Sequence, residues 1–219
     1  MSNIPHILSS TIVPRSLYAL EQSILGWAHE RNLIKGSTCR KQLAKTCEEF
    51  GELAAGLNKG KHALIKDGVG DVLVTLIIAN GCAGGEYMFS SEEAGNDWAI
   101  VRQQEMLASE SSDVVLSLLY ELDYITERSR PELHKWRLAI MLDMVRWLVV
   151  AAQRAECSLA ECLLTAWMEI KDRKGRMVDG VFVKQEDLPL DSTVQALVYG
   201  SGTVRSPEQE APVPPDHNC

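Results

Sequence analysis

The stretch IKDGVGDVLVTLII, from Ile65 to Ile78, constrains this chain more than any other. At about 100° per residue, Val69, Val72, Leu73, Val74, Leu76, Ile77 and Ile78 surround a helical axis with apolar side chains. A helix that is apolar all round belongs inside a fold or a subunit interface. Asp71 sits a turn inside that helix, and an acid buried there without a partner is costly. It demands a cation: lysine, arginine or a metal. Asp67 has an easier reading as the helix N-cap, where a carboxylate accepts backbone N–H bonds and meets the positive end of the dipole.

The rest of the chain supplies material to bury such a helix. Hydrophobic residues make up 46% and charged residues 24%, so a core can form without covalent staples. The net charge of -8 argues against nucleic acid as a partner, because phosphate-backbone binding draws on a surplus of lysine and arginine. The cysteines, Cys39, Cys47, Cys82, Cys157, Cys162 and Cys219, form no C-x-x-C pair and no zinc spacing with histidine. Residues 1–11 lack the pattern of a secretory signal, and the apolar runs are too short or interrupted to span a bilayer. The expectation is a cytoplasmic protein with no membrane partner.

Helical periodicity dominates. Leu17, Leu20, Ile24 and Trp27 predict one helix over residues 16–31. Thr38 predicts an N-cap for a second, reaching Leu57, and the third runs from about residues 61–67 to Ala79, ending at Gly81. Further helices are expected over residues 98–155, among them Asp113–Glu127 and one opened by Pro131 that reaches Ala155. Ser158 caps a last helix, and Asp179-Gly180 in RMVDGVFVK marks a tight hairpin. The fold class read from this pattern is all-α, a helical bundle with a small C-terminal β-hairpin. Residues 1–190 read as one domain, with a helical insertion at about 86–155, and 191–219 as a Pro-rich, mostly disordered tail.

Three groups of residues carry chemistry. Gln42, Lys45, Glu49 and Glu52 share a face of the second helix, with Glu48 at its margin; taken alone this is an acidic stripe with pairs such as Lys45–Glu49. Gly51 and Gly70 stand beside Glu52 and Asp71, and two costly mid-helix glycines predict a tight crossing that brings Glu49, Glu52 and Asp71 together. Converging carboxylates require a counter-charge, and oxygen ligands suit Mg²⁺ or Mn²⁺. Mg²⁺ commonly co-binds phosphates, which points to phosphoanhydride chemistry. Lys171, Arg173, Lys174 and Arg176 form a basic group at a helix C-terminus, read either as dipole complements or as a phosphate clamp.

Four segments in order, WAHERNL (Trp27–Leu33), QLAKTCEEFGELAAGLNKG (Gln42–Gly60), KDGVGDVLVTLI (Lys66–Ile77) and AWMEIKDRKGRMVDGVFV (Ala166–Val183), resemble the MazG-like all-α nucleoside triphosphate pyrophosphohydrolases, in particular short phage and bacterial members. The family signature is E-x-x-E followed by E-x-x-D. Glu49 and Glu52 match the first half and Asp71 the end of the second, but Gly68 stands where the family has glutamate, and Asp67 is the substitute on the same face. Met168 stands where related chains often carry asparagine.

The resemblance implies hydrolysis of ribo- or deoxyribonucleoside triphosphates at the α–β phosphoanhydride, giving a monophosphate and pyrophosphate. It implies Mg²⁺ at Glu49, Glu52 and Asp71, with Asp67 as the fourth ligand, and Glu48 as a second metal ligand or the base for water. Lys45, Lys171, Arg173 and Lys174 would neutralise phosphate oxygens, and Trp27 would stack on the base. Family members assemble as homodimers or homotetramers. The segment 86–155, absent from short members, would cover the site, alter substrate choice or replace part of an interface. The alternative from another class is a nucleotide-binding or regulatory protein that keeps the scaffold without turnover, for which Gly68 is the main argument; a purely structural bundle is the third.

Overall fold

The structure, a computed structural model, describes residues 16–85, 87–89, 109–127 and 134–188. The expectations for residues 98–108, for Pro131 and for the Pro-rich stretch from 191 lie outside these residues. The chain divides into two compact units, Met1–Glu186 and Asp187–Cys219, and the helices and the hairpin belong to the first.

Among the described residues there are seven helices and one two-stranded antiparallel sheet: α1 (Leu17–Glu30), α2 (Leu33–Gly36), α3 (Cys39–Asn58), α4 (His62–Cys82), α5 (Ser111–Glu127), α6 (His134–Arg154), α7 (Leu159–Ile170), β1 (Gly175–Val178) and β2 (Val181–Lys184). The all-α class with a C-terminal hairpin is thus what forms. Local signals set most boundaries. Ser16, Thr38 and Ser158 each accept a backbone N–H from the first turn of α1, α3 and α7, and Glu161 completes a capping box at α7. Asp179 and Gly180 both take positive φ at the hairpin tip, as an Asp-Gly turn requires. The short helix α2 falls in what reads as the approach to a chain break.

The long apolar helix is the hub. α1, α2, α3, α6 and α7 all pack on α4, while α5 lies across α3 and α6. Residues Val72–Asn80 are buried without interruption, and each fully buried leucine or isoleucine contributes about 1.5–3 kcal/mol by leaving water. This burial is completed within one chain, so the apolar surface of α4 is no argument for assembly. Helices α5 and α6 likewise contribute to the same core, where Leu118, Met141, Met144 and Leu148 are fully enclosed. Among the described residues no helix is long and apolar enough to cross a membrane.

Two local expectations are corrected. Asp67 is not the N-cap of α4: Lys61 occupies that position, and Asp67 lies more than a turn inside the helix. The loop glycine Gly60, at φ +60°, lets the chain reverse between α3 and α4, so the helix begins earlier than the acid. Gly51 marks no crossing either, since open space lies where its side chain would be.

Candidate functional site

The true crossings explain how the acids are arranged. A Cβ on Gly68 would sit 2.8 Å from Leu53 Cα and 3.0 Å from Leu53 N, so α3 and α4 touch backbone to backbone there. Gly56 repeats the contact against Leu64 and Ile65 nearer the turn. Gly70, one position before Asp71, faces α7: its Cβ would abut the Cys162 carbonyl and lie 2.9 Å from Ala166 Cβ. Helices α3 and α7 therefore press on α4 from two sides, and Asp71 emerges beside both.

Asp71 is half-buried, and its carboxyl is pushed from 3.8 up to about 7, chiefly by burial and then by the negative charges of Glu49, Asp67 and Glu169. The Arg173 guanidinium opposes this without cancelling it. No hydrogen bond or ion pair from a described residue reaches the Asp71 carboxylate. Three further acids from α3, α4 and α7 thus bear on one unsatisfied carboxylate.

Glu49 is largely enclosed, with 15% of its side chain exposed, and Lys45 Nζ reaches its Oε1 at 3.0 Å. The same ammonium lies 2.6 Å from Glu48 Oε2, so the expected i,i+4 pair exists and a second carboxylate shares the lysine. Glu48 and Glu52 are both exposed, and neither is among the main causes of the Asp71 shift. Among the described residues no three His, Cys, Asp or Glu side chains are gathered closely enough to hold a metal ion. The donor chemistry nevertheless fits a hard divalent cation: Glu49, Asp67, Asp71 and Glu169 offer oxygen alone, and the negative charge that the other three bring to bear on Asp71 is what a cation would offset.

The basic turn follows α7. Lys171 is held by neighbouring Asp172, Lys174 is exposed, and the Lys174 carbonyl accepts the Gln185 N–H at 3.0 Å, tying the turn to the end of the hairpin. The hairpin tip is fastened in turn by Ser37 Oγ, which donates to the Gly180 carbonyl at 2.9 Å, and by Lys41 Nζ, which donates to the Asp179 carbonyl. Trp27 is 7% exposed and packed at 5.7 Å against the Phe182 ring, with the Arg31 guanidinium 4.8 Å from its centroid. Its ring is a core element in this structure, with two neighbours already against it.

The structure thus brings Glu49, Asp67, Asp71 and Arg173 into one electrostatic neighbourhood and leaves Glu48, Glu52 and Lys174 at its solvent side. Two residues escape a reading of the sequence. Glu169 lies within the EIKDRKG segment, where the cations draw attention; its signal is its position three residues beyond Ala166, which faces Gly70. Arg31, four residues after Trp27, is signalled only by that helical spacing.

No protein-family model matches the chain, and no solved structure matches it. An uncharacterized 18.2 kDa protein of the rep-hol intergenic region of Haemophilus phage HP1 is 47% identical over 62 residues. That match takes in 28% of this chain and 38% of the phage protein, so the chain spans well under half the length of that relative.

Proposed function

We propose that the protein hydrolyses nucleoside triphosphates, ribo- or deoxyribo-, at the α–β phosphoanhydride, releasing a monophosphate and pyrophosphate, as the resemblance to MazG-like pyrophosphohydrolases implies. The observation that carries this reading is Asp71: a carboxyl on a buried helix, without a partner, set in the field of Glu49, Asp67 and Glu169 and facing Arg173. A carboxyl perturbed by burial and by neighbouring charges in this way is a mark of functional sites, and structural ion-pair networks, which also shift pKa values, would supply Asp71 with a paired cation. Glu49, Asp67 and Asp71 are the residues that would hold Mg²⁺, or Mn²⁺, once their side chains draw together, and the ion would supply positive charge to offset theirs and to polarise the phosphates.

The chain's own groups do the remainder. Arg173, Lys171 and Lys174 approach the phosphates from the end of α7 and neutralise charge as the anhydride breaks. Lys45 is held between Glu48 and Glu49. When it turns to a phosphate oxygen it frees Glu48, which takes the proton of the attacking water. Glu52, one turn beyond Glu49, meets the site from solvent. Trp27 supports the turn from below, and base stacking is not assigned to it.

The test is incubation with each common nucleoside triphosphate and Mg²⁺, followed by detection of pyrophosphate. Product that disappears in Glu49→Gln, and falls about 10²–10⁴-fold in Glu48→Gln, supports hydrolysis. A second reading, a nucleotide binder without turnover on the same scaffold, rests on Gly68, where contact with the Leu53 backbone leaves no room for the family's carboxylate. Nucleotide binding with no pyrophosphate from any substrate decides for the binder.

A further inference from the structure

The segment WAHERNL has no part in the proposed chemistry, yet Arg31 makes more long-range polar contacts than any group around the site. Its Nε donates to the Arg173 carbonyl at 3.0 Å and its Nη2 to the Lys171 carbonyl at 3.4 Å, across more than 130 residues of sequence. Its Nη1 donates to the Trp27 carbonyl at 3.4 Å, and the guanidinium plane is backed by the Trp27 ring. Trp27 in turn packs on Phe182 of β2. The end of α1 therefore grips the backbone of the basic turn and makes no bond to the side chains of Lys171, Arg173 or Lys174.

This grip has two physical consequences. The last carbonyls of a helix carry the negative end of its dipole and lack partners within the helix. The Trp167 and Ile170 carbonyls of α7 accept the Lys171 and Arg173 N–H groups, but the C-cap Lys171 carbonyl and the Arg173 carbonyl beyond it, left bare, would set negative oxygens beside an anion arriving at Lys171, Arg173 and Lys174. A planar guanidinium with fixed N–H directions can hold two carbonyls at once and cancel that field; a lysine ammonium cannot match the geometry. We infer that Arg31 is a positioning residue: it fixes the Lys171–Lys174 turn by occupying the Lys171 and Arg173 carbonyls, so that those cations can receive a phosphate chain. This rests on the proposed function, in which the same turn binds phosphate.

The experiment measures binding of inorganic pyrophosphate with Mg²⁺ by calorimetry in a double-mutant cycle of Arg31→Ala and Arg173→Ala, with thermal melting of every variant. The expected result is a loss of about tenfold in affinity for Arg31→Ala in the parent, shrinking to about twofold when Arg173 is already alanine. Arg31→Lys, a milder change that keeps the charge, should melt close to the parent and still lose affinity. Lowered melting with unchanged affinity, or equal losses in both backgrounds, would show that Arg31 is only a structural cap and overturn the inference while leaving the proposed function intact. Failure of the parent to bind pyrophosphate or any nucleoside triphosphate would overturn both.

Discussion

Two of the acids that this fold takes out of water, Glu21 and Asp71, are treated differently. Glu21, on α1, is 1% exposed and accepts the Met88 and Phe89 backbone N–H groups at 2.8 and 2.9 Å, one on each oxygen. Asp71, on α4, is less deeply placed yet receives no such bond, and its neighbours are other acids. Burial raises the pKa of both, Glu21 from 4.5 to about 6 even against its two hydrogen bonds. The difference teaches where to look for function. Glu21 has a structural return for its desolvation, because it pins the chain beyond α4 to α1; Asp71 has none within the chain.

Removing the satisfied acid should therefore cost most. Glu21→Ala leaves two buried N–H groups without acceptors, each at about 1–3 kcal/mol, and loosens Phe89, which is 2% exposed. A total loss of about 2–6 kcal/mol in urea unfolding is expected. A loss below about 1 kcal/mol would mean that water replaces Glu21 and that the contrast with Asp71 is false.

Next comes the scaffold that presents Asp71. Gly68→Ala drives a methyl into the Leu53 backbone, where no side chain can swing aside. Overpacking of this kind costs about 1–3 kcal/mol, and denaturant unfolding would read it. If the variant is as stable as the parent, the α3–α4 crossing is looser than the Leu53 contact indicates and a carboxylate at 68 is sterically possible.

Much of this was legible in the sequence, and the division has a physical cause. Caps and turns act over three or four residues, so Thr38, Ser158 and Asp179-Gly180 mark their elements locally. Asp71 announces itself by being charged inside an apolar run. Helix crossings carry no such local mark: Gly51 and Gly68 are both mid-helix glycines, and only the packed neighbour distinguishes open space from Leu53. Glu169 is hidden for the same reason: it stays an exposed acid, and its charge bears on Asp71 only because α7 lies against Gly70. The Asp67 cap fails because Gly60 turns the chain early, letting α4 start at His62.

Asp71→Asn should act in the opposite sense to Glu21→Ala. A carboxyl whose pKa rises on folding favours the native state when protonated. Asp71's contribution is therefore fully present below pH 3.8 and is lost as the pH climbs to about 7. Glu21 follows the same sign over the narrower window from 4.5 to about 6. Between pH 6 and 7, then, the parent's melting temperature should fall chiefly through Asp71, and Asp71→Asn should flatten that slope. Solvent screening at a half-buried group reduces the gain at neutral pH to about 1–2 kcal/mol. Mg²⁺ should raise the melting temperature of the parent and leave that of Asp71→Asn unchanged. Equal slopes in parent and variant would show that Asp71 is solvated after all.

The smallest effect falls at Gly51, and it sharpens the contrast from the side of α3. Open space surrounds its missing side chain, so Gly51→Ala should stabilise the helix by up to about 1 kcal/mol through backbone entropy alone. A glycine there, between Glu49 and Glu52, has no structural return, just as Asp71 has none. If the space beside it is where a phosphate chain approaches α3, the added methyl will raise the melting temperature while lowering pyrophosphate release, the opposition expected of a binding surface that gives up stability. A gain in melting temperature with unchanged turnover would place the substrate away from this face of α3. The field around Asp71 would then be approached from α7, past Glu169 and Arg173.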